Sequence, residues 1–369
     1  MEKKPVLARD PTTPPEVLAK LTGDSNPDVR WAVAQNKNAP AEALERLAGD
    51  ESSWVRLEVA KHPSTPTRTL EQLAGDEDWT VRREVTRNKN APTEILERLA
   101  GDEYLEVRQA VAENPRTPTR VLERLARDSY AEVRAAIAGN PNTPVEILVQ
   151  LAQDSTGLVH REVAKNKNTP AFILEGLAGD RKVRQEVASN PSAPAGTLER
   201  LAGDPSWEVR ESVAKNPSTP AGTLERLGRD PKYRVRQAVA SNPSAPAGVL
   251  ERLAGYKNSL VRWEVAKNPN TPAGVLERLS RDPDTMVRPA VAGNPRTPTG
   301  VLERLAMDPD RGVRLIAAEA LLGRLEELPE DPALWLAIWE AADTEGRRKI
   351  EEHPYGQTVA VLARLSCPR

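Results

Sequence analysis

Apolar positions along this chain fall into two linked groups. Leucines stand three apart, as at Leu224 and Leu227. Valines follow four apart, as at Val235 and Val239, with Ala240 beside the second. Spacings of three and four mark one face of a helix, so each group predicts a short amphipathic helix. The pair of groups then returns along the chain. Counted on the proline that opens each copy, it recurs at Pro14, Pro40, Pro66, Pro92, Pro118, Pro144, Pro170, Pro194, Pro220, Pro246, Pro272 and Pro298, every step being 26 residues except one of 24. The valine column from Val29 to Val313 marks the same twelve copies. Self-similarity at a fixed period of this length is the signature of a stacked repeat array.

The unit reads N-P-x-T-P-x-x-x-L-E-R-L-A-x-D-x-x-x-x-V-R-x-x-V-A-x, with a clear copy from Asn216 through Ser241. Thr-Pro predicts an N-cap followed by the first helical position, the threonine oxygen accepting a free N–H. Thr13 with Glu16 and Thr143 with Glu146 have the spacing of capping boxes. The first helix is expected to run for roughly nine or ten residues. The second is expected to open at the aspartate, whose charge suits a helix N-terminus, and to stop at an asparagine, usually followed by proline and in left-handed geometry. Ten of eleven junctions carry that asparagine, and His62 is the exception. No period-two alternation recurs from copy to copy; Trp79 to Arg82 alternates in one copy only, so strands are not expected. One unit buries too few apolar side chains to offset the entropy of ordering it, and its neighbours must supply the rest.

Composition sharpens this picture in three places. The 33 prolines fall in columns, so their number does not signal disorder. The 52 basic and 54 acidic residues nearly cancel, which leaves no whole-molecule attraction to nucleic acid or acidic membranes. The one cysteine, Cys367, excludes a disulfide framework and a cysteine-based metal site. With no apolar leader and no long apolar run, the expectation is a soluble cytoplasmic protein with no membrane partner.

The N-P-x-T-P entry, the L-E-R-L-A core and the D-x-x-x-x-V-R-x-x-V-A exit resemble the bacterial leucine-rich repeat variant family, over about residues 11–318. The second half also looks like the second helix of HEAT repeats. The ordinary leucine-rich repeat is a poorer match, because no L-x-L strand column is present. The resemblance implies short helices, α or alternating α and 3₁₀, wound without sheet into a right-handed superhelix. Two departures stand out. The family repeat is nearer 24 residues, a length found here only around Asp180 and Val183. A family member with an iron–sulfur cluster holds it by cysteines before its repeats; this chain has none there, so no cofactor is carried over. The expected architecture is all-α: a right-handed superhelical solenoid of about twelve two-helix repeats with a helical C-terminal cap.

The expected boundaries are a leader at 1–10, repeats at 11–318 and the cap at 319–369. Helices are expected at Leu315 to Leu325, Ala333 to Ala342 (with Trp335 and Trp339 four apart) and Gln357 to Leu365, with a break at Pro329 to Pro332. Repeat seven lacks two residues between Asp180 and Val183, where a local bend or an altered stacking angle is expected. Pro289 should shorten its helix or shift its start. Tyr256 stands where other copies carry aspartate, and His160 where they carry arginine.

Several columns are candidates for function. The arginines (Arg30, Arg56, Arg82, Arg108, Arg134 and on to Arg314) are either a phosphate-binding stripe or a ladder paired with Asp24, Asp50, Asp76 and their successors; the matched columns favour the ladder. The asparagines are either a grip for an extended peptide, as in the armadillo family, or local helix-end devices; their place beside proline favours the second. Glu58/Lys61, Glu84/Arg87, Glu162/Lys165 and Glu264/Lys267 form a row expected to lie on a solvated helix face. The position after each arginine varies most, running Trp31, Leu57, Arg83, Gln109, Ala135, Arg161, Gln185, Glu211, Gln237, Trp263, Pro289, Leu315. A variable column on the second helix is a readable surface. The candidate binding surface is therefore Trp31, Leu57, Arg83, Gln109, Arg161, Gln185, Glu211, Gln237 and Trp263. Trp54, Trp79, Tyr104, Tyr130, Trp207 and Tyr233 are read first as inter-repeat packing. The three histidines are scattered and no catalytic motif occurs. The reading is a non-enzymatic scaffold for a protein or peptide partner. A nucleic-acid-binding solenoid and a structural or self-assembling element are the alternatives, and the oligomeric state is left open.

Overall fold

The computed structural model describes residues 3–366; Cys367 lies outside the described residues. The chain divides into two units, Met1–Ser192 and Ala193–Arg369, the division following directly on the repeat that is two residues short. Among the described residues there are 28 α-helices, one 3₁₀ turn at Leu325–Glu327, and no strand. Every repeat helix is α, so α and 3₁₀ helices do not alternate.

Each repeat supplies two helices. The first has seven residues, as in Ala41–Leu47 and Thr93–Leu99, and the second usually nine, as in Ser53–Lys61 and Trp79–Arg87. Leu44 and Leu47 of the first and Val55, Val59 and Ala60 of the second are at most 1% exposed. A valine or leucine buried to that degree contributes about 1.5–3 kcal/mol. Within each unit the second helices stack on the second helices of adjacent repeats, and the first helices fill the gaps beside them.

The threonine–proline entry works differently from a threonine cap. Pro40 is itself the N-cap, with extended ψ of 157°, and its carbonyl accepts from the N–H groups of Ala43 and Leu44. The first helix therefore begins one residue later than expected and is shorter. The buried threonine before the proline is a donor: Thr65 Oγ1 donates to the Val59 carbonyl at 2.5 Å, and Thr143 to Ile137 at 2.6 Å. In the second unit Thr271 and Thr297 do the same with Val265 and Val291. Each hydroxyl ties a first helix to the last turn of the preceding second helix. The capping boxes at Thr13/Glu16 and Thr143/Glu146 do not form; Thr13 donates to Leu7, and neither helix has a side-chain cap.

The irregular copies shorten their second helices. The deletion in repeat seven leaves Arg184–Ser189, six residues. Pro289 leaves Val287–Ala292, also six, because proline lacks an N–H and clashes beyond the first turn.

Residues expected to form a leader form a helix, Lys3–Arg9, packed on the second helix of the first repeat, Pro27–Gln35. At the other end the last repeat's helix runs over Arg311–Leu322 and is followed by Pro332–Ala341, Thr344–Glu352 and Pro354–Ser366. Thr344–Glu352 was not anticipated; only Gly346 and Ile350 of it are buried, too few to reveal a helical stripe. Trp335 anchors this end, its indole N–H donating to Pro329 at 2.9 Å and its ring meeting His353 and Tyr355.

Candidate binding surface

The arginine column is a ladder between repeats. Arg30 Nε and Nη2 hold the two oxygens of Asp50, in the next repeat, at 2.6 and 3.0 Å, while Nη1 donates to the Asp24 carbonyl of its own repeat. The same bidentate pair recurs at Arg56–Asp76, Arg82–Asp102, Arg108–Asp128 and Arg134–Asp154 in the first unit. In the second it recurs at Arg210–Asp230, Arg262–Asp282 and Arg288–Asp308. Charge assistance and fork geometry make these strong bonds. The arginine side chains are 9–16% exposed and spent on these partners. Lys4 occupies the equivalent place before the first repeat, 2.8 Å from Asp24.

The aspartate is consequently not a helix cap. Asp50 stands two residues before the N-cap Ser52, accepts its N–H at 2.9 Å and turns its carboxylate to the preceding repeat's guanidinium. Burial pushes the Asp154 carboxyl up, but hydrogen bonds from Arg134 and from Thr156 bring it down to about 2. Asp102 and Asp128 are lowered the same way, by Arg82 and Arg108 against the push of burial.

The asparagine column forms a second ladder, running backwards. Asn140 Nδ2 donates to the carbonyls of Ala112 and Asn114 at 2.7 and 3.0 Å, while its Oδ1 accepts from Asn142. Asn88 and Asn166 repeat the arrangement, as do Asn242, Asn268 and Asn294 in the second unit. These residues are extended rather than left-handed: Asn140 has φ −68° and ψ 125°. A following proline excludes the helical region for its neighbour, and the bonds to the preceding repeat hold the same shape where lysine follows. His62 imitates the amide. Its Nδ1 accepts from Ser64 at 3.1 Å, so Nε2 carries the proton and donates to Asn36 at 3.0 Å.

With both ladders turned inward, the second helices present their outward positions to solvent or a partner. Trp31 is half-buried under Arg9, the guanidinium 4.9 Å from its ring. Leu57, at 7% exposed, is buried between helices and offers little surface. Arg83 lies over Trp79 and bonds Glu84; Gln109 donates to Glu113 at 2.8 Å. Arg161 and Gln185 are exposed, Arg161 pairing with Glu186 at 3.1 Å. In the second unit Glu211 pairs with Lys215, Gln237 donates to Glu264, and Trp263 lies under Lys267. Glu58/Lys61, Glu84/Arg87 and Glu162/Lys165 pair as expected, but Glu264/Lys267 does not, its members serving Gln237 and Trp263 instead. Glu84 is buried, so the row is not a fully solvated face.

Two features escaped the column-by-column reading. Gln109 shares a groove of about 450 Å³ with Ala135, Ala136, Gly139, Leu158 and three glutamates. Its only signal in the sequence is three small residues, Ala135, Ala136 and Gly139, in the second helix of one copy. Gln185 borders a second groove of about 380 Å³ beside Lys165 and Lys167. Of the aromatics at the starts of the second helices, Trp79 stacks on Tyr104 at 5.8 Å, bridging repeats, whereas Trp54 is 72% exposed.

The family model described as leucine rich repeat variant matches residues 27–52, 54–78, 105–129, 131–155, 181–206, 207–232, 233–255, 260–284 and 286–310, more than half of the chain. The chain belongs to the leucine rich repeat variant family. The fold of this leucine rich repeat variant protein extends past the matched segments. Residues 79–104 and 156–180 are unmatched, yet they hold the helix pairs Trp79–Arg87 with Thr93–Leu99 and Gly157–Lys165 with Ala171–Leu177. No curated protein matches the chain. Among solved structures it is similar to "a leucine-rich repeat variant with a novel repetitive protein structural motif", at 27% identity over 59% of this chain and 87% of that one, TM-score 0.45. It is also similar to an engineered protein, at 20% identity over 95% and 98% of the two chains, TM-score 0.31. A third is Kap121p, at 12% identity over 98% of this chain and 52% of that one, TM-score 0.43.

Proposed function

We propose that this chain is a non-catalytic scaffold that holds a protein or peptide partner on the outward faces of its second helices. On this reading residues 11–318 carry the array, 1–10 lead into it and 319–369 close it. One observation supports it above others. The arginine, aspartate and asparagine columns are mostly consumed by bonds between repeats, while the position after each arginine changes chemistry from copy to copy on helices that, two shortened copies apart, keep the same form. Nucleic-acid binding is the weaker reading, since it needs open arginines and the ladder leaves these enclosed.

The test is selection from a random peptide display library on the full chain. Selected peptides should lose about tenfold in affinity on Trp31→Ala, Arg161→Ala or Trp263→Ala, the scale of an interface anchor. They should be indifferent to Arg68→Ala and Phe172→Ala on the first helices. Recovery of no saturable binder, or the reverse pattern of sensitivity, would overturn the reading.

A further inference from the structure

Three consecutive second helices, Leu105–Glu113, Ala131–Gly139 and Gly157–Lys165, carry at matched positions Gln109, Ala110, Glu113; Ala135, Ala136, Gly139; and Arg161, Glu162, Lys165, with Ala110 and Ala135 buried. The middle copy lacks every long side chain that its neighbours have. The result is the groove of about 450 Å³, a volume within the range of small-ligand sites. Its apolar lining is Ala135 and Ala136 of the middle helix and the exposed Leu158 of the next. Glu113 stands on one wall and Glu162 on the other, with Glu132 at one end and no cation in the lining.

The carboxylates are not all neutralised from outside. Lys165 holds one oxygen of Glu162 at 2.7 Å, and the other faces Gly139, where an added Cβ would lie 3.5 Å from it. Glu113 accepts from Gln109 at 2.8 Å and has Arg87 at 3.8 Å. An apolar floor between carboxylate walls suits a side chain with a long apolar stem and a cationic head. An aliphatic occupant would desolvate carboxylates without compensation, and an acidic one would be repelled.

Resting on the second-helix face as a binding surface, we propose that this groove is a pocket for an arginine side chain of an extended basic peptide segment. The stem lies on Ala135, Ala136 and Leu158, and the guanidinium reaches Glu113 and Glu162. The fork of N–H donors on a planar cation fits two walls better than an ammonium point charge.

The probes are a fluorescein-labelled nonapeptide alternating arginine with alanine, and the same peptide with citrulline, the neutral isostere, in place of arginine. Anisotropy is measured on the full chain at low salt. The arginine peptide should bind saturably, the citrulline peptide about tenfold or more weaker, the equivalent of one lost charged contact. Gly139→Trp, which fills the groove, and the double variant Glu113→Gln with Glu162→Gln should each weaken the arginine peptide to a similar degree, with unchanged circular dichroism. Gly196→Trp, in open space on a first helix, should not. Equal binding of the two peptides, or indifference to Gly139→Trp, overturns the pocket. If a library-selected peptide is lost on Arg161→Ala but not on Gly139→Trp, the pocket fails while the broader scaffold reading stands.

Discussion

The Arg236 guanidinium lies over the ring of Tyr256, 4.5 Å from its centroid, where Arg210 and Arg262 on either side each grip an aspartate. Arg236 keeps its bond to Pro231, but its Nε is buried without a hydrogen-bond partner. This rung exchanges two charge-assisted hydrogen bonds for one cation–π contact. Restoring the aspartate with Tyr256→Asp should raise stability by about 1 kcal/mol, the difference between such bonds and a cation–π pair. The check is the urea midpoint, and a lower midpoint would mean that the tyrosine ring packs better than the pair it replaced.

Removing one member of an intact rung should cost more than the pair contributes. Asp102→Ala leaves the Arg82 guanidinium enclosed without its counter-charge and should destabilise by roughly 3 kcal/mol. Replacing both, Arg82→Met with Asp102→Ala, should cost less than the single change. Chemical denaturation of the two variants decides this.

The ladders also set the response to acid. A carboxyl held at about 2 in the fold, like that of Asp154, binds its proton less readily than in the unfolded chain. Its stabilisation is complete above the unfolded value, about 4, and is lost as pH falls towards 2. Asp154→Asn should remove that part of the dependence, read as a shallower fall in melting temperature with acid.

His62 acts in a different window. Burial lowers its pKa, and its Nδ1 must stay bare to accept from Ser64. Below the ordinary histidine value of about 6.5 the unfolded chain takes up a proton that the fold resists, so stability declines as pH drops through that region. His62→Asn should abolish this decline and bind as the other asparagines do. A melting curve at pH 5 and pH 8 for both proteins tests it.

For the backward ladder, Asn140→Leu orphans the buried carbonyl of Ala112, leaves that of Asn114 with the Thr117 N–H alone, and should cost roughly 2 kcal/mol. Thr143→Val, which removes only the hydroxyl bond to Ile137, should cost about 1 kcal/mol. Equal losses would mean that the amide contributes no more than the hydroxyl.

The helix pairs were legible because the leucines and valines keep helical spacing in every copy and nothing competes with it. The ladder was legible as a match between two columns. Its reach was not: Arg30 lies six residues from its own aspartate and 20 from the one it grips, and only stacking decides between them. The threonine's role is ambiguous in the sequence for a related reason. Thr65 has one oxygen that donates or accepts, and only the approach of the Val59 carbonyl selects the first. Thr344–Glu352 escaped because two buried residues make no stripe. The groove escaped because alanine and glycine are unremarkable alone; it exists only between the longer side chains of the copies before and after. The variable column is legible as a column, but two of its members, Leu57 and Ala135, are enclosed, since apolar side chains at that position prefer their neighbours to water.

Because the arginine of an intact rung reaches forward to the next repeat's aspartate and the column asparagine's amide reaches back to the preceding repeat, the array has a polarity, and adjoining modules mate like plug and socket. An additional copy spliced in frame at a loop meets a ready socket on each side. One entering in the opposite sense meets none.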